Sequence, residues 1–230
     1  LAFGARVLWA RGGPVGAPQW WDRGLREALA AAAGGGLVYG RVCSYEPLDA
    51  EAERGLWASG WARPARPLDR NMTYLLDLTP EPEALDSGLS SNWGHNARRA
   101  RKRVEIRDWP SPDPAEMEAV YIAMESYKGL SAQHRAPALA SLVKALGPAL
   151  ILKRAVVEGR TVGLRACAVF AGRAVDMLAA TNAEGRKVYA SYGLLLSLLL
   201  DARRSGAREY DLGGADPDGA KGVADFKKGT

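Results

Sequence analysis

The chain has 230 residues, 47% of them hydrophobic and 25% charged, which suits one large domain or two small ones with a proper core. Its longest apolar run, Leu194 to Leu200 broken by Ser197, is far too short to cross a bilayer; no secretory signal is visible, and Leu1 in place of an initiator Met leads us to expect a longer gene product. Lys and Arg number 31 against 26 Asp and Glu, and Arg98, Arg99, Arg101, Lys102 and Arg103 account for the whole excess of +5, so attraction to an anionic partner centres on one short segment.

Arg6 to Ala10 reads as a short strand closed by the Gly12-Gly13-Pro14 turn. Trp20 to Ala33 reads as a helix with Asp22 in its first turn and Gly34-Gly35-Gly36 as its stop. Leu37 to Ser44 follows as a strand and Ala50 to Gly60 as a helix. Arg63-Pro64-Ala65-Arg66-Pro67 cannot continue a helix and reads as a linker. Beyond it come a strand over Met72 to Leu78, a helical segment from Pro80 to Arg103, a strand over Val104 to Arg107, and helices over Pro114 to Tyr127 and Ala136 to Leu146. Three apolar, β-branched runs then stand in series, Ala149 to Val157, Val162 to Phe170 and Ala174 to Thr181. Glu158-Gly159-Arg160 and Ala171-Gly172-Arg173 part them as hairpin turns. Tyr189 to Arg204 is a strongly apolar helix stopped by Gly206, and Glu209 to Leu212 is a short closing strand. This periodicity establishes an α+β chain with an antiparallel meander.

Cys43 and Cys167 have no metal-type spacing and read as buried small hydrophobes in a reducing compartment. The two histidines, His95 and His134, have no zinc-type neighbours, so no metal is expected. No Walker loop, Rossmann fingerprint, nucleophile elbow or metalloprotease motif is present, and no Ser or Cys has an evident His–acid pair. The chemistry left is positioning and electrostatics.

Three segments offer it. On a helix, Arg98 faces Lys102 and Arg99 faces Arg103 at i,i+4, which costs about 0.2–0.5 kcal/mol per pair unless an anion intervenes. The segment therefore reads as a phosphate-binding patch or as a solvated helix end. Tyr210-Asp211-Leu212-Gly213-Gly214 is a strand ending in paired glycines, where backbone can approach a ligand closely; Asp211 inside it needs a hydrogen-bond partner. Phe226-Lys227-Lys228 stands two residues before Thr230, and a lysine ammonium beside a reacting carbonyl stabilises an oxyanion by about 3 kcal/mol.

In order, these segments resemble the FemABX family, the Fem-type peptidyltransferases of peptidoglycan cross-bridges. Arg11-Gly12-Gly13-Pro14-Val15 resembles the family's Arg/Lys-Gly-Pro strand end with one extra glycine. Thr73-Tyr74-Leu75-Leu76-Asp77-Leu78 resembles its T-x-x-L-D-L strand, and Arg98 to Arg103 its basic helix end. Tyr210 to Lys227 resembles its closing Y-D-x-G-G … F-K signature.

The resemblance implies a GNAT-like acyltransferase fold, a mixed and mostly antiparallel sheet flanked by helices. It also implies two subdomains, residues 1–68 as the C-terminal part of a truncated first one and residues 69–230 as the second. An aminoacyl-tRNA would donate an amino acid to the stem-peptide amine of a lipid-linked or UDP-linked muramyl peptide, with no further cofactor. The enzyme would be a cytoplasmic monomer, meeting the inner membrane face through a lipid-linked acceptor. Lys227 would stabilise the tetrahedral intermediate, with Phe226 packed beside it. Arg98, Arg101, Lys102, Asp211, Gly213 and Gly214 would meet substrate. Where the family carries an arginine before Gly-Phe to hold acceptor phosphate, this chain reads Tyr127-Lys128-Gly129-Leu130, so Tyr127 and Lys128 take that place. The family's paired helical arm is absent.

Two other readings compete. An acyl-CoA-dependent GNAT N-acyltransferase would need a glycine-rich Q/R-x-x-G-x-G/A loop at a helix N-terminus, and the nearest segment, Arg186-Lys187-Val188-Tyr189-Ala190, lacks both glycines. A non-catalytic RNA-binding module would use the basic segment alone and would not need Lys227.

Overall fold

The chain divides into two compact units, Leu1–Pro67 and Leu68–Thr230, and the computed structural model describes residues 6–11, 21–43, 49–65, 73–214 and 221–230. The Gly12 to Val15 part of the first family motif lies outside these residues. In the first unit β1 (Arg6–Arg11) and β2 (Val38–Cys43) pair in parallel, Arg6 opposite Val38 through Arg11 opposite Cys43, and α1 (Arg23–Ala32) lies between them in the chain. Parallel neighbours need such a crossover because a tight turn would reverse the second strand. Asp22 accepts the Leu25 N–H at 2.9 Å and Asp49 the Ala52 N–H at 2.7 Å, capping α1 and α2 (Ala50–Ala58). Asp22 is thus the residue before the helix rather than part of its first turn, because its carboxylate satisfies an N–H that the helix cannot. The Trp61 indole donates to the Trp21 carbonyl at 2.6 Å, their rings 5.9 Å apart.

A six-stranded sheet in the order β3-β8-β7-β6-β5-β4 organises the second unit. Its members are β3 (Thr73–Asp77), β4 (Glu105–Asp108), β5 (Leu150–Val157), β6 (Arg160–Phe170), β7 (Arg173–Thr181) and β8 (Glu209–Gly214). β4 through β7 pair antiparallel; β8 pairs in parallel with β7 and antiparallel with β3. Both meander links turn on two residues of positive φ, Glu158 and Gly159 at 48° and 78°, Ala171 and Gly172 at 46° and 80°. That is the turn geometry which follows strand twist.

The helices of this unit are α3 (Pro82–Gly88), α4 (Ser91–Arg103), α5 (Pro114–Lys128), α6 (Ala136–Leu146), α7 (Ala183–Lys187), α8 (Ala190–Arg204) and α9 (Lys221–Lys228). The single helical segment expected from Pro80 to Arg103 is broken in two. Leu89 is extended, at φ −64° and ψ 140°, and packs against the core, while the Ser90 N–H donates to the Gly229 carbonyl at 3.0 Å instead of continuing a helix. α7 is a further difference, five residues being too few to show a period. Tyr189 precedes α8 in a left-handed conformation, φ 62° and ψ 29°.

One face of the sheet is covered by α5 and α6, through Met117, Val120, Tyr121 and Leu139 against Leu152, Leu164 and Leu178. The other is covered by α4 and α8, through Trp93, Ala97, Leu195, Leu198 and Leu199 against Cys167, Tyr210 and Leu212. Each such leucine contributes about 1.5–3 kcal/mol of transfer free energy. Among the described residues no helix is long and apolar enough to cross a membrane.

Candidate functional site

β7 and β8 lie side by side only over Arg173–Val175 and Glu209–Asp211, although β7 runs on to Thr181 and β8 to Gly214. They part where β7 carries an extra residue. Leu178 faces Ala166 and Asp176 faces Cys167, so Met177 has no opposite on β6, and a bulge of this kind bends its strand. The outcome is a fork between the carboxyl ends of two parallel strands. Beyond it the Ala179 N–H has no β8 partner, and the Tyr121 hydroxyl of α5 accepts it at 3.1 Å.

At the base of the fork Asp176 accepts Arg165 Nε at 2.9 Å and Nη2 at 2.7 Å, and the Tyr210 hydroxyl at 3.0 Å. Arg165 and Tyr210 are buried, at 4% and 0% exposure. Charges this deep persist only when paired and hydrogen-bonded, as the two-pronged guanidinium contact makes them. Neither Arg165 nor Asp176 figures among the sequence-predicted site residues. The signal was a single charge inside each of two apolar strands.

The end of β8 builds the second half of the site. Asp211, also buried, accepts the Thr73 hydroxyl from β3 and the Gly213 N–H at 2.8 Å. Gly213 sits at φ 73°, a conformation other residues adopt only with strain, and this turn aims two consecutive carbonyls at one point. Lys227 Nζ donates to them both, at 3.1 Å to Gly213 and 2.7 Å to Gly214. An ammonium has three hydrogens, so one remains for a substrate oxygen. Burial lowers the Lys227 pKa, Arg165 adds to that, and Asp176 and Asp211 oppose it. Phe226 packs 5.0 Å from Tyr192 and 5.7 Å from Trp93, with the Arg165 guanidinium 5.4 Å from its ring centre. Five predicted residues therefore converge: Lys227, Phe226, Asp211, Gly213 and Gly214. Within the protein Asp211 and the glycines hold Lys227 in place.

Arg98, Arg101 and Lys102 lie exposed on α4 with Arg99 and Arg103, on a helix without a carboxylate. Arg99 donates to the Tyr189 hydroxyl at 2.6 Å and lies over its ring, Tyr189 meets Tyr192 at 6.3 Å, and Tyr192 meets Phe226. Aromatic side chains thus join the cationic helix to Lys227. Tyr127 and Lys128 stand exposed at the end of α5, where the Arg186 guanidinium covers the Tyr127 ring at 3.7 Å. No hydrogen bond joins them to the fork among the described residues. Burial pushes the Cys167 thiol up to about 12, reinforced by Asp176, so it is no nucleophile. The described residues contain no cluster of metal-type ligands. A 210 Å³ pocket between β3, α3 and α8 is lined chiefly by leucines and offers no comparable chemistry. In the first unit a 940 Å³ cleft is lined by Arg23, Arg26, Arg41 and Arg63; Arg23 pairs with Glu27 and Arg63 with Glu53, and Arg26 donates to the Ser59 carbonyl at 2.6 Å.

The profile of the acetyltransferase (GNAT) domain matches residues 92–228, from α4 through α9. The chain belongs to the GNAT acetyltransferase-domain family. The fork, the Arg165–Asp176 pair and Lys227 all lie within this GNAT domain, which makes the chain an acyltransferase. Its fold is that of FemX, whose crystal structure superposes with a TM-score of 0.80 at 13% identity, covering 96% of this chain and 76% of that one. The C-terminal domain of a protein from Agrobacterium fabrum assigned as a lysylphosphatidylglycerol synthetase gives 0.48 at 15% identity, with coverages of 68% and 50%. An aminoglycoside acetyltransferase from an uncultured soil metagenomic sample gives 0.45 at 15%, with coverages of 56% and 89%. No curated protein matches the chain in sequence.

Within the GNAT domain, the stretch between β7 and α8 is where the acyl-CoA alternative would need its phosphate loop. α7 occupies it. The Asn182 side chain accepts the Gly185 N–H at 2.9 Å, and Arg186 donates to the Thr181 carbonyl at 3.1 Å. A Cβ on Gly185 would stand 2.2 Å from the Val162 carbonyl oxygen, so this glycine serves packing against β6.

Proposed function

We propose that this GNAT-family protein transfers an amino acid from aminoacyl-tRNA to the stem-peptide amine of a muramyl-peptide precursor. The observation that carries the reading is Lys227, an ammonium fixed by the Gly213 and Gly214 carbonyls with one hydrogen unspent. The FemX fold and the Tyr210 to Lys227 signature supply the class of reaction.

An aminoacyl ester is already activated, so orientation and charge stabilisation suffice without a protein nucleophile. As the amine adds, the ester carbonyl oxygen becomes an oxyanion, and Lys227 meets it with its third N–H. A preorganised donor of this kind contributes about 10²–10³ in rate. The exposed cations of α4 would take tRNA phosphates, joined to Lys227 by Tyr189, Tyr192 and Phe226.

Incubation of the protein with charged tRNAs, acyl-CoAs and muramyl-peptide acceptors, followed by mass analysis of the acceptor, tests this. An aminoacyl increment that requires charged tRNA is the expected result. An acyl increment that requires CoA would replace this reading with the N-acyltransferase one. RNA binding without any increment would leave only a binding module.

A further inference from the structure

The segment after α5 folds back and gathers on one carboxylate. Glu125, 4% exposed, accepts the backbone N–H groups of Gln133 at 3.1 Å and His134 at 3.2 Å. The His134 Nδ1 lies 2.9 Å from the same oxygen, and Arg135 donates to the other at 3.3 Å. The imidazole bond leads the causes that hold the Glu125 carboxyl at about 2, against the opposing effect of burial. A carboxylate only accepts, so Nδ1 carries the hydrogen, and in the uncharged tautomer with that hydrogen the lone pair is at Nε2.

Tyr121 stacks on the ring at 3.9 Å and 11°, fixing its plane. Nothing among the described residues hydrogen-bonds Nε2, and the side chain is 34% exposed. Holding the segment does not require this arrangement, because two backbone N–H groups and Arg135 already bind Glu125. What the imidazole adds is an outward-facing basic nitrogen.

Its location connects it to the fork. The Tyr121 hydroxyl that accepts the Ala179 N–H belongs to the ring under His134, and both Asp176 and Arg165 act electrostatically on it. One stacked ring therefore separates His134 from the free edge of β7, while Lys227 sits at the end of β8, the other prong.

Among the described residues, the side chains that bond at the Lys227 site are donors or carboxylates already engaged. Arg165 and Lys227 are donors, and Asp176 and Asp211 already accept from protein groups. Yet an alkyl amine, with a pKa of about 10 in water, must lose a proton to attack. We propose that His134 Nε2 accepts the proton of the attacking amine, with Glu125 and Tyr121 as positioning residues. This rests on the reading of the site as an acyltransferase with an amine acceptor.

In the step, Nε2 takes a proton from the alkylammonium, the freed lone pair forms the C–N bond, and the carbonyl π pair moves to the oxygen facing Lys227. Collapse re-forms the carbonyl and breaks the bond to the ribose oxygen, which leaves with the second proton of the adduct nitrogen. The imidazolium then returns its proton to solvent. Among the described residues, the charged or titratable groups facing His134 are Glu125, Tyr121 and Arg135, the last of which lies 3.5 Å from Glu118.

The experiment compares two nucleophiles with charged tRNA as donor, the muramyl-peptide amine and hydroxylamine, which is unprotonated at neutral pH. His134→Asn keeps an N–H for Glu125 but offers no base. The expected result is a loss of about a hundredfold or more in kcat/KM with the peptide amine, near wild-type turnover with hydroxylamine, and disappearance of the acid limb of the pH profile. Added imidazole restores part of the rate to His134→Ala. Equal losses with both nucleophiles, or unchanged turnover with the peptide amine, overturn the proposal. Lys227→Ala slows both reactions alike. A wild-type protein that transfers to neither nucleophile overturns the reading of the site, and this base with it.

Discussion

Two ionic groups flank the fork, and they differ in how completely they are closed. Arg165 and Asp176 satisfy one another bidentately, Tyr210 donates to Asp176 as well, and the two charged side chains are only 5% and 10% exposed. Glu125 is buried as deeply, but its partner His134 keeps one nitrogen in the open. Low dielectric strengthens both pairs. A closed set can only hold strands in register, whereas a half-open set directs a titratable atom outward. Lys227 belongs with the second kind, having two hydrogens spent on carbonyls and one left.

This contrast can be broken from either end. Arg165→Met strands Asp176 in the interior and should cost about 3–5 kcal/mol in denaturant unfolding; Arg165→Met combined with Asp176→Leu should recover much of it, because the uncompensated charge is gone. Lys227→Ala should leave the unfolding midpoint near wild type while lowering amino-acid transfer about 10²–10³-fold, measured by steady-state turnover. A stability loss as large as that of Arg165→Met would place Lys227 with the closed group instead.

Glu125→Gln sharpens the open side through pH. The folded carboxyl titrates at about 2 against an ordinary 4.5, a depressed value, so its stabilisation is present above pH 4.5 and lost as pH falls through about 2. The difference in unfolding midpoint between wild type and Glu125→Gln should therefore be constant near neutrality and close on acidification through that window. The smallest effect is expected on α4. Arg98→Ala or Lys102→Ala should leave turnover of a saturating donor unchanged and reduce the salt dependence of tRNA affinity by about one unit of log–log slope each. An unaltered slope would return these cations to solvent.

Much of the fold was legible because its signals are local. The three apolar runs, their glycine-bearing turns and the leucine-rich stretch of α8 each declare themselves within about ten residues. Leu89 escaped notice because its extended backbone is imposed by a core contact and by a bond from Ser90 to Gly229, far along the chain. The site divided along the same line. Lys227, Phe226, Asp211 and the paired glycines stand in one short signature. Arg165 and Asp176 sit in different strands and meet only through a register that includes a bulge. Glu125 and His134 are nine residues apart, across a helix end that only the folded segment closes.

By itself the sequence determined the α+β class, the meander and its closing helix, the run of cations and the short segment that contains Lys227, because propensity, periodicity and composition act over a few positions. The tertiary structure alone decided where β7 leaves β8, which carbonyls hold Lys227, and that a buried carboxylate turns His134 outward. Those outcomes depend on pairings between distant residues and on strand register, where a shift of one position would send Arg165, Asp176 and Asp211 to the other face of the sheet.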